Sequence, residues 1–585
     1  MTGNFRDFFM PFPFVKRLLG SWFIWCALYK GFSVWFALPL WVVVLGTGAT
    51  CVVAYAWQKQ TALRTADDIF FCAGTTVFAV ALTYCYGGNH LYAFVLVVLT
   101  ALGIALYPVL RSGKELTPPI SERAVRLYCI VLSVIMFAVI VAISCIRYRI
   151  FATPNFDFGL FCNMFHYMRE TGLPLVTSER NQLLSHFAVH ISPIYYVLLP
   201  FYTIFPSPIT LQISQAVIVA SGILPLYALA KHFGLSGKST VAVVFVYAAH
   251  PALSAGCFYD LHENCFLTPL LLWLFWCYET GKHRLLFLPL ILVLLTKEDA
   301  AVYIAIFAVY LFFSRKDRRM GAILFGIAAA YFTVAILLLQ TFGQGAMFGR
   351  YAGLFKEAKE AGGFLQLLLR DPGYFLEQIV TAADKTAKPL FALLLLLPFG
   401  SLLWKTKTHS RLLLLLPLLL NLLTEYTYQY NIGYQYSFGV TAFLFYLWIQ
   451  NISETSVKRR RNPLLFSMAA VCLLYVAVVM PRLESYARNA IQNHETYARM
   501  EAVLDTIPSD ASVTASTFLV AHLAERDIIY EELYHKTPDT EYVVLDNRKV
   551  YRERAEKYKE ICLQNGYAVT HITEELLILQ PTSKR

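Results

Sequence analysis

Apolar runs almost free of charge recur along most of this chain, each about as long as a membrane crossing. A helix needs roughly 20 apolar residues to cross about 30 Å of hydrocarbon. Such runs lie at about 18–37, 39–57, 69–87, 90–110, 124–146, 209–230, 239–257, 264–279, 284–297, 299–314, 320–342, 388–404, 411–424, 436–451 and 463–480. Several are short, as expected of helices that tilt or end at a cavity. Of the 585 residues, 57% are apolar and 15% charged, whereas soluble domains are about 25% charged. A large soluble enzyme, a disordered chain and a fibrous repeat are thereby excluded. The expected fold is an all-α polytopic membrane protein with about 15 transmembrane helices.

Charge divides the chain further. The formal net charge is +11. From Arg482 onward there are 13 Lys/Arg against 17 Asp/Glu, which leaves 36 against 21 for the rest. A basic membrane body is thus followed by a slightly acidic, soluble-looking tail. The positive charge sits in short loops, where it would face anionic lipid, and no nucleic-acid footprint is evident. The N-terminal basic residues and the clusters Lys59/Arg64, Arg111 to Arg126, Lys231/Lys238, Lys282/Arg284, Arg315 to Arg319, Lys405 to Arg411 and Lys458 to Arg461 together hold 24 Lys/Arg, against 12 elsewhere in the membrane body. The positive-inside rule puts these clusters in the cytoplasm and the alternate loops outside.

Three segments follow: membrane helices over 1–115, a membrane core over 116–480 and an extracytoplasmic α/β domain over 481–585. The core carries an outer loop at 150–187. Residues 189–206 would invert the later loops if they crossed. With Pro193, Pro200 and Pro206 they read instead as an amphipathic helix in the outer interface. In the tail, 484–505 and 550–564 read as helices, SVTAS, DIIYEE and EYVVLD as strands, and YAVTHI with LLILQ as a closing hairpin. The 12 cysteines form no metal-spaced pair, and most lie in apolar runs as small hydrophobes. The N-terminus lacks the cleavage site of a signal peptide.

Acidic residues are scarce in the membrane body, and charge near membrane depth defaults to a functional hypothesis. Asp157 lies in NFDFGLF, where it could cap a helix. Alternatively, Phe156, Phe158 and Phe161 could hold it against an apolar wall, raising its pKa toward that of a base. YDLHENCF places Asp260, His262 and Glu263 in one short turn. Two carboxylates and an imidazole so spaced can hold a divalent metal or orient a phosphate. Lys297, Glu298 and Asp299 stand between two apolar runs without a linker. Lys297 suits a phosphate, and one of the acids suits a metal or an acceptor hydroxyl. His186 and His190 are four apart and could share a face. Tyr426, Tyr428, Tyr430, Tyr434 and Tyr436 fill one outer loop, suited to stacking on sugars or to an interfacial aromatic belt.

The stretches FDFGLF, VHISPIYYVLLPFYTIFPSPITL, YDLHENCF and LLTKEDAAV, with ASVTAS and EYVVLD in the tail, resemble a family of membrane proteins catalogued as DUF 2079. That family is similar in layout to the GT-C glycosyltransferases, which use polyprenyl-phosphate sugars. The resemblance implies a GT-C-like core and a hexosyl or pentosyl transfer. The donor would be a polyprenyl-phosphate sugar, and the acceptor a glycan, lipid or protein outside the membrane. It implies a catalytic role for Asp157 and for Asp260 or Glu263; on the reading of the residues themselves, His186, His190, His262, Lys297, Glu298, Asp299, Tyr434 and Tyr436 are candidates to bind substrate. A divalent ion, Mg or Mn, on Asp157, Asp260, Glu263 or Asp299 is left open, because Asp157 has Asn155 and no acidic neighbour. Two rival readings are a lipid or solute transporter with a buried charge relay and a non-catalytic envelope assembly protein.

Overall fold

The computed structural model describes residues 13–32, 39–61, 70–71, 74, 77–78, 120–343, 348–360, 363–381 and 387–582. The chain divides into two compact units, Met1–Ser121 with Met468–Met480 and Glu122–Ser467 with Pro481–Arg585. In the first, helices Pro13–Phe32 and Trp41–Thr61 pack together, and Trp25 Nε1 donates to Thr50 Oγ1 at 2.7 Å. Most of the expected crossing at 69–87, and all of that at 90–110, lies outside the described residues.

Among the described residues, four helices are long and apolar enough to cross a membrane: Glu122–Arg149, Pro208–His232, Arg318–Phe342 and Val457–Gln492. Gly237–Ala248 and Pro251–Tyr259 make a fifth if taken as one span bent by 41°. Trp41–Trp57, His283–Thr296, Ala300–Phe313 and Ala387–Leu403 are shorter apolar helices. Some sequence runs therefore do not form full crossings. Run 411–424 breaks into a 3-10 piece, His409–Leu415, and a short helix, Leu418–Leu422, on either side of Pro417. Run 388–404 kinks at Gly400, whose φ of +55° suits a residue without Cβ.

Helix Phe438–Glu454 is buried on every face from Phe438 to Ile452, and it packs on helix Leu267–Glu279. A helix apolar all round must lie inside a bundle. Residues 189–206 form no single amphipathic helix. Pro193 starts a 3-10 turn, Pro193–Val197, and Leu199–Ile204 is a helix of six residues. The prolines prevent one continuous helix, and Ile194, Tyr195 and Tyr202 point into the protein.

The tail carries helices Met480–Gln492 and His494–Leu504. A two-stranded sheet in the 150–187 loop, β1 Leu175–Val176 and β2 Leu184–Ser185, precedes it in the chain. The tail sheet comprises β3 Val513–Ala515, β4 Ile529–Glu531, β5 Tyr542–Asp546, β6 Tyr567–Ile572 and β7 Leu576–Pro581, in the order β4-β3-β5-β7-β6. Strand β3 runs parallel to β4 and β5, and β6–β7 is the antiparallel hairpin. Val543, Val544 and Leu545 are all buried because each face of the sheet has its own core. One of these cores contains Phe151, from the loop that follows helix Glu122–Arg149.

Candidate functional site

The sequence NFDFG does not cap a helix. Asn155–Gly159 form one π-helical turn leading into helix Leu160–Thr171, and no side chain caps either element. Such turns occur often at functional sites. Phe158 and Phe161 are buried beside Asp157, whereas Phe156 is 50% exposed and forms no part of the wall. Asp157 keeps some exposed surface yet has protein on every side, as a carboxylate on a cavity wall does. Burial, reinforced by the negative charge of Glu263 and opposed by Lys297, pushes its pKa to about 7.

The turn after Tyr259 splits its two acids between different tasks. Asp260 accepts from Arg147 Nη1 at 2.8 Å and from Gln212 Nε2 at 2.8 Å. Arg147 also donates to the Phe258 carbonyl at 2.6 Å. Asp260 has φ +94°, a strained backbone for a residue with Cβ, and this clasp holds it there. Burial raises its carboxyl to about 6 despite Arg147. Glu263, three residues on, is 1% exposed and meets Lys297 Nζ at 2.9 Å. Tyr195 donates its hydroxyl to Glu263 Oε2 at 2.6 Å, and His262 Nδ1 lies 3.2 Å from the same oxygen. Burial alone would raise Glu263, but the charge of Lys297 holds it below the usual carboxylate range. Burial and Lys297 leave His262 neutral.

Lys297 is therefore held by Glu263 from another loop, rather than by its neighbours Glu298 and Asp299. The ion pair is close but poorly angled for a hydrogen bond, so Lys297 keeps donor capacity. Burial would lower Lys297, yet Glu263 keeps it a cation. Glu298 turns the other way, accepting from His190 Nδ1 at 2.8 Å and from the Ile191 amide at 3.0 Å. Asp299 keeps partial exposure, and burial raises its pKa. His186 lies 3.3 Å from Glu179, and its ring sits 6.3 Å from that of His190. The two histidines thus have separate carboxylate partners.

Arg350 is the residue that sequence reasoning missed. Its guanidinium lies 4.9 Å from the ring centre of Tyr426 and 5.0 Å from that of Tyr436, in range for cation–π attraction. It lines a cavity of about 350 Å³ with Gly349, Glu425 and Tyr426. Its charge acts on Asp157, Asp299 and Lys297. No motif marks it; it is a lone arginine in MFGRYAG. Tyr436 thus reaches the site, whereas the Tyr434 ring packs at a tilt against those of Tyr259 at 4.9 Å and Tyr428 at 4.8 Å. Among the described residues, no three His, Cys, Asp or Glu converge as metal ligands. Asp260 and Glu263 are already engaged by cations.

A predicted-membrane-protein family, DUF2079, matches residues 147–574, well over half the chain, and the chain belongs to it. A search of curated proteins gives no match. The structure is similar to ArnT from Cupriavidus metallidurans bound to undecaprenyl phosphate, at TM-score 0.46 and 9% identity, covering 79% of this chain and 98% of that one. Apo ArnT from the same organism gives TM-score 0.44 and 10% identity, covering 76% and 97%.

Proposed function

We propose that this chain is an integral membrane glycosyltransferase. It would move a sugar from a polyprenyl-phosphate donor to an acceptor at the extracytoplasmic face. The observation that carries the reading is the pairing of one carboxylate near pKa 7 with two cations, Lys297 and Arg350, within reach of its charge. A base works best with a pKa near the operating pH, and Asp157 meets that requirement. The acceptor oxygen attacks the anomeric carbon and its proton passes to Asp157. The bond from that carbon to the phosphate oxygen breaks, and the phosphate leaves with the electron pair. Lys297 and Arg350 would stabilise that negative charge. Direct displacement inverts the anomeric centre. Glu263 keeps Lys297 charged and fixes its position, while Tyr436 lies where a sugar ring could stack. Asp260 is assigned to the fold, because Arg147 and Gln212 occupy its oxygens.

The test is turnover by the purified chain with defined polyprenyl-phosphate sugars, guided by mass spectrometry of envelope glycans from a deletion strain. Asp157→Asn is expected to abolish transfer while leaving expression and insertion intact. Near-normal turnover by Asp157→Asn would remove it as the base.

A further inference from the structure

In open parallel α/β sheets, ligands bind in the crevice beyond the carboxyl ends of the strands, where strand order reverses. In this tail that place lies beyond β3, β4 and β5, beside Thr517, Glu531 and Asp546, and the chain's own loop fills it. The Asn155 amide donates to Thr517 Oγ1 at 3.2 Å. The Asn155 side chain donates to Glu531 Oε2 at 2.9 Å and to the Ser178 carbonyl at 3.1 Å. Arg548, paired with Asp546, donates to the Phe151 carbonyl at 3.1 Å. Phe151, at φ +52°, inserts its ring into the tail core, 3.8 Å from the His522 ring centre.

The exposed side of edge strand β4 is covered in the same way. Asn181 donates to the Glu531 carbonyl at 2.7 Å and accepts from its amide at 2.8 Å. Asn163 donates to the carbonyls of Ala524 at 3.1 Å and Arg526 at 2.9 Å. An unpaired edge invites pairing with another chain, and here the partner comes from the segment that carries Asp157. Asn155 opens the π-helical turn two residues before Asp157.

We infer that the C-terminal α/β domain is a positioning element of the reaction site, holding the Asp157 turn in place through Glu531 and Asn155. The inference rests on the reading of Asp157 as the base. Glu531 touches no substrate. Its buried carboxylate fixes Asn155, and Asn155 fixes the turn. Sequence separation from Asn155 to Glu531 is 376 residues, so the reaction loop stays unset until the last part of the chain has folded.

The test uses the full chain in detergent. Amide hydrogen exchange is measured over 155–165 and, as a control, over the tail core at 543–545 and 577–579. Glu531→Ala and Asn155→Ala are each expected to speed exchange in 155–165 about tenfold or more, the worth of one hydrogen bond to a charged group. Control amides should not change. Glu531→Gln keeps an acceptor for Asn155 and should restore most of the protection. With a working donor, kcat should fall in both alanine variants at unchanged donor KM. Unchanged exchange over 155–165 overturns the inference, as does a uniform rise across the tail core. If wild type transfers no sugar from any polyprenyl phosphate, the glycosyltransferase reading fails, while the exchange result still decides whether the clamp exists.

Discussion

Two glutamates of this protein, one buried and one at a partly exposed helix end, make nearly the same bonds. Glu263 meets a lysine at 2.9 Å and a tyrosine hydroxyl at 2.6 Å. Glu279, at the far end of helix Leu267–Glu279, meets Arg315 at 3.0 Å and the Tyr446 hydroxyl at 2.5 Å. What differs is what remains unused. Arg315 is pinned by its carboxylate and stacks beside Tyr278 at 5.7 Å. Helix ends meet at this knot, and no cavity adjoins it among those described. At Glu263 the lysine pair is misaligned, and Asp157, Asp299 and Arg350 stand nearby with partial exposure. A satisfied ion pair at a helix end supports the fold, whereas one with spare donors beside accessible charges is prepared for a ligand. The turn at 260–263 repeats the contrast over three residues, with Asp260 clasped and Glu263 poised.

The sharpest way to break this comparison is to neutralise each glutamate in turn. Glu263→Gln leaves Lys297 as a buried cation without its counter-charge and should reduce transfer by about 10³, the scale of losing an aligned electrostatic group. Glu279→Gln should leave kcat of the surviving protein unchanged. It should instead destabilise the chain by about 1–2 kcal/mol, through the loss of charge-assisted hydrogen bonds at a pair whose arginine side chain is 31% exposed. Turnover and thermal unfolding in detergent check both. Equal loss of turnover in the two variants would erase the distinction.

Next in size is the phosphate preference of Lys297. Lys297→Met should weaken binding of a phosphorylated polyprenyl carrier about 100-fold, consistent with loss of a charged hydrogen bond. It should barely affect the dephosphorylated carrier. Lys297→Arg should restore part of the affinity, because charge is kept and geometry is not. Binding isotherms for both lipids on wild type and variants check this. Equal losses for the two lipids would assign Lys297 to the fold.

Smaller still is the effect at Gly159. A Cβ there would stand 2.7 Å from Asn155 Oδ1 and 3.0 Å from Val520 Cγ1. Gly159→Ala should push the Asp157 turn away from the tail and raise exchange over 155–165 by a few-fold, less than Asn155→Ala, because the hydrogen bonds can re-form after a small shift. No change in exchange would mean that the two sides yield freely.

How much of this could be read from sequence depended on what carries each feature. Asp157, the 260–263 turn and Lys297 to Asp299 stood out because charge is rare in an apolar chain, and the fold gathers them. The tail strands were legible for a similar reason: SVTAS, DIIYEE and EYVVLD are β-rich and bounded by turns, and they form β3, β4 and β5. Pairings were not legible. Arg147 reads as the charged end of a helix, yet it clasps Asp260 across 113 residues. Glu298 and Asp299 adjoin Lys297 in sequence, but Lys297 pairs with Glu263, 34 positions earlier. Tyr195 and Arg350 lack any local signal, because their roles exist only after distant segments meet. Residues 189–206 misled for a different reason. Their hydrophobicity fits an interfacial helix, and their prolines enforce 3-10 turns instead.

The last prediction turns on the sign of the Asp157 shift, and it is the smallest. Folding raises this carboxyl from 3.8 to about 7. Between those values the folded chain holds a proton that the unfolded chain has released. Stability therefore falls as pH rises through this window, because the unfolded state binds fewer protons. Below the unfolded value both states are protonated there, and the term is constant. Asp157→Asn deletes the titration while keeping shape and polarity. Relative to wild type, Asp157→Asn should be more stable at pH 8, and the gap should close toward pH 5. Partial exposure keeps the difference to a shift of a few degrees in Tm, which differential scanning in detergent can follow across that range. Transfer must move the opposite way, since only the deprotonated carboxylate can accept the acceptor's proton. Wild-type kcat should fall as pH drops through about 7, while the protein itself becomes more stable. A rate and a stability that decline together toward low pH would mean that another group, not Asp157, sets the profile.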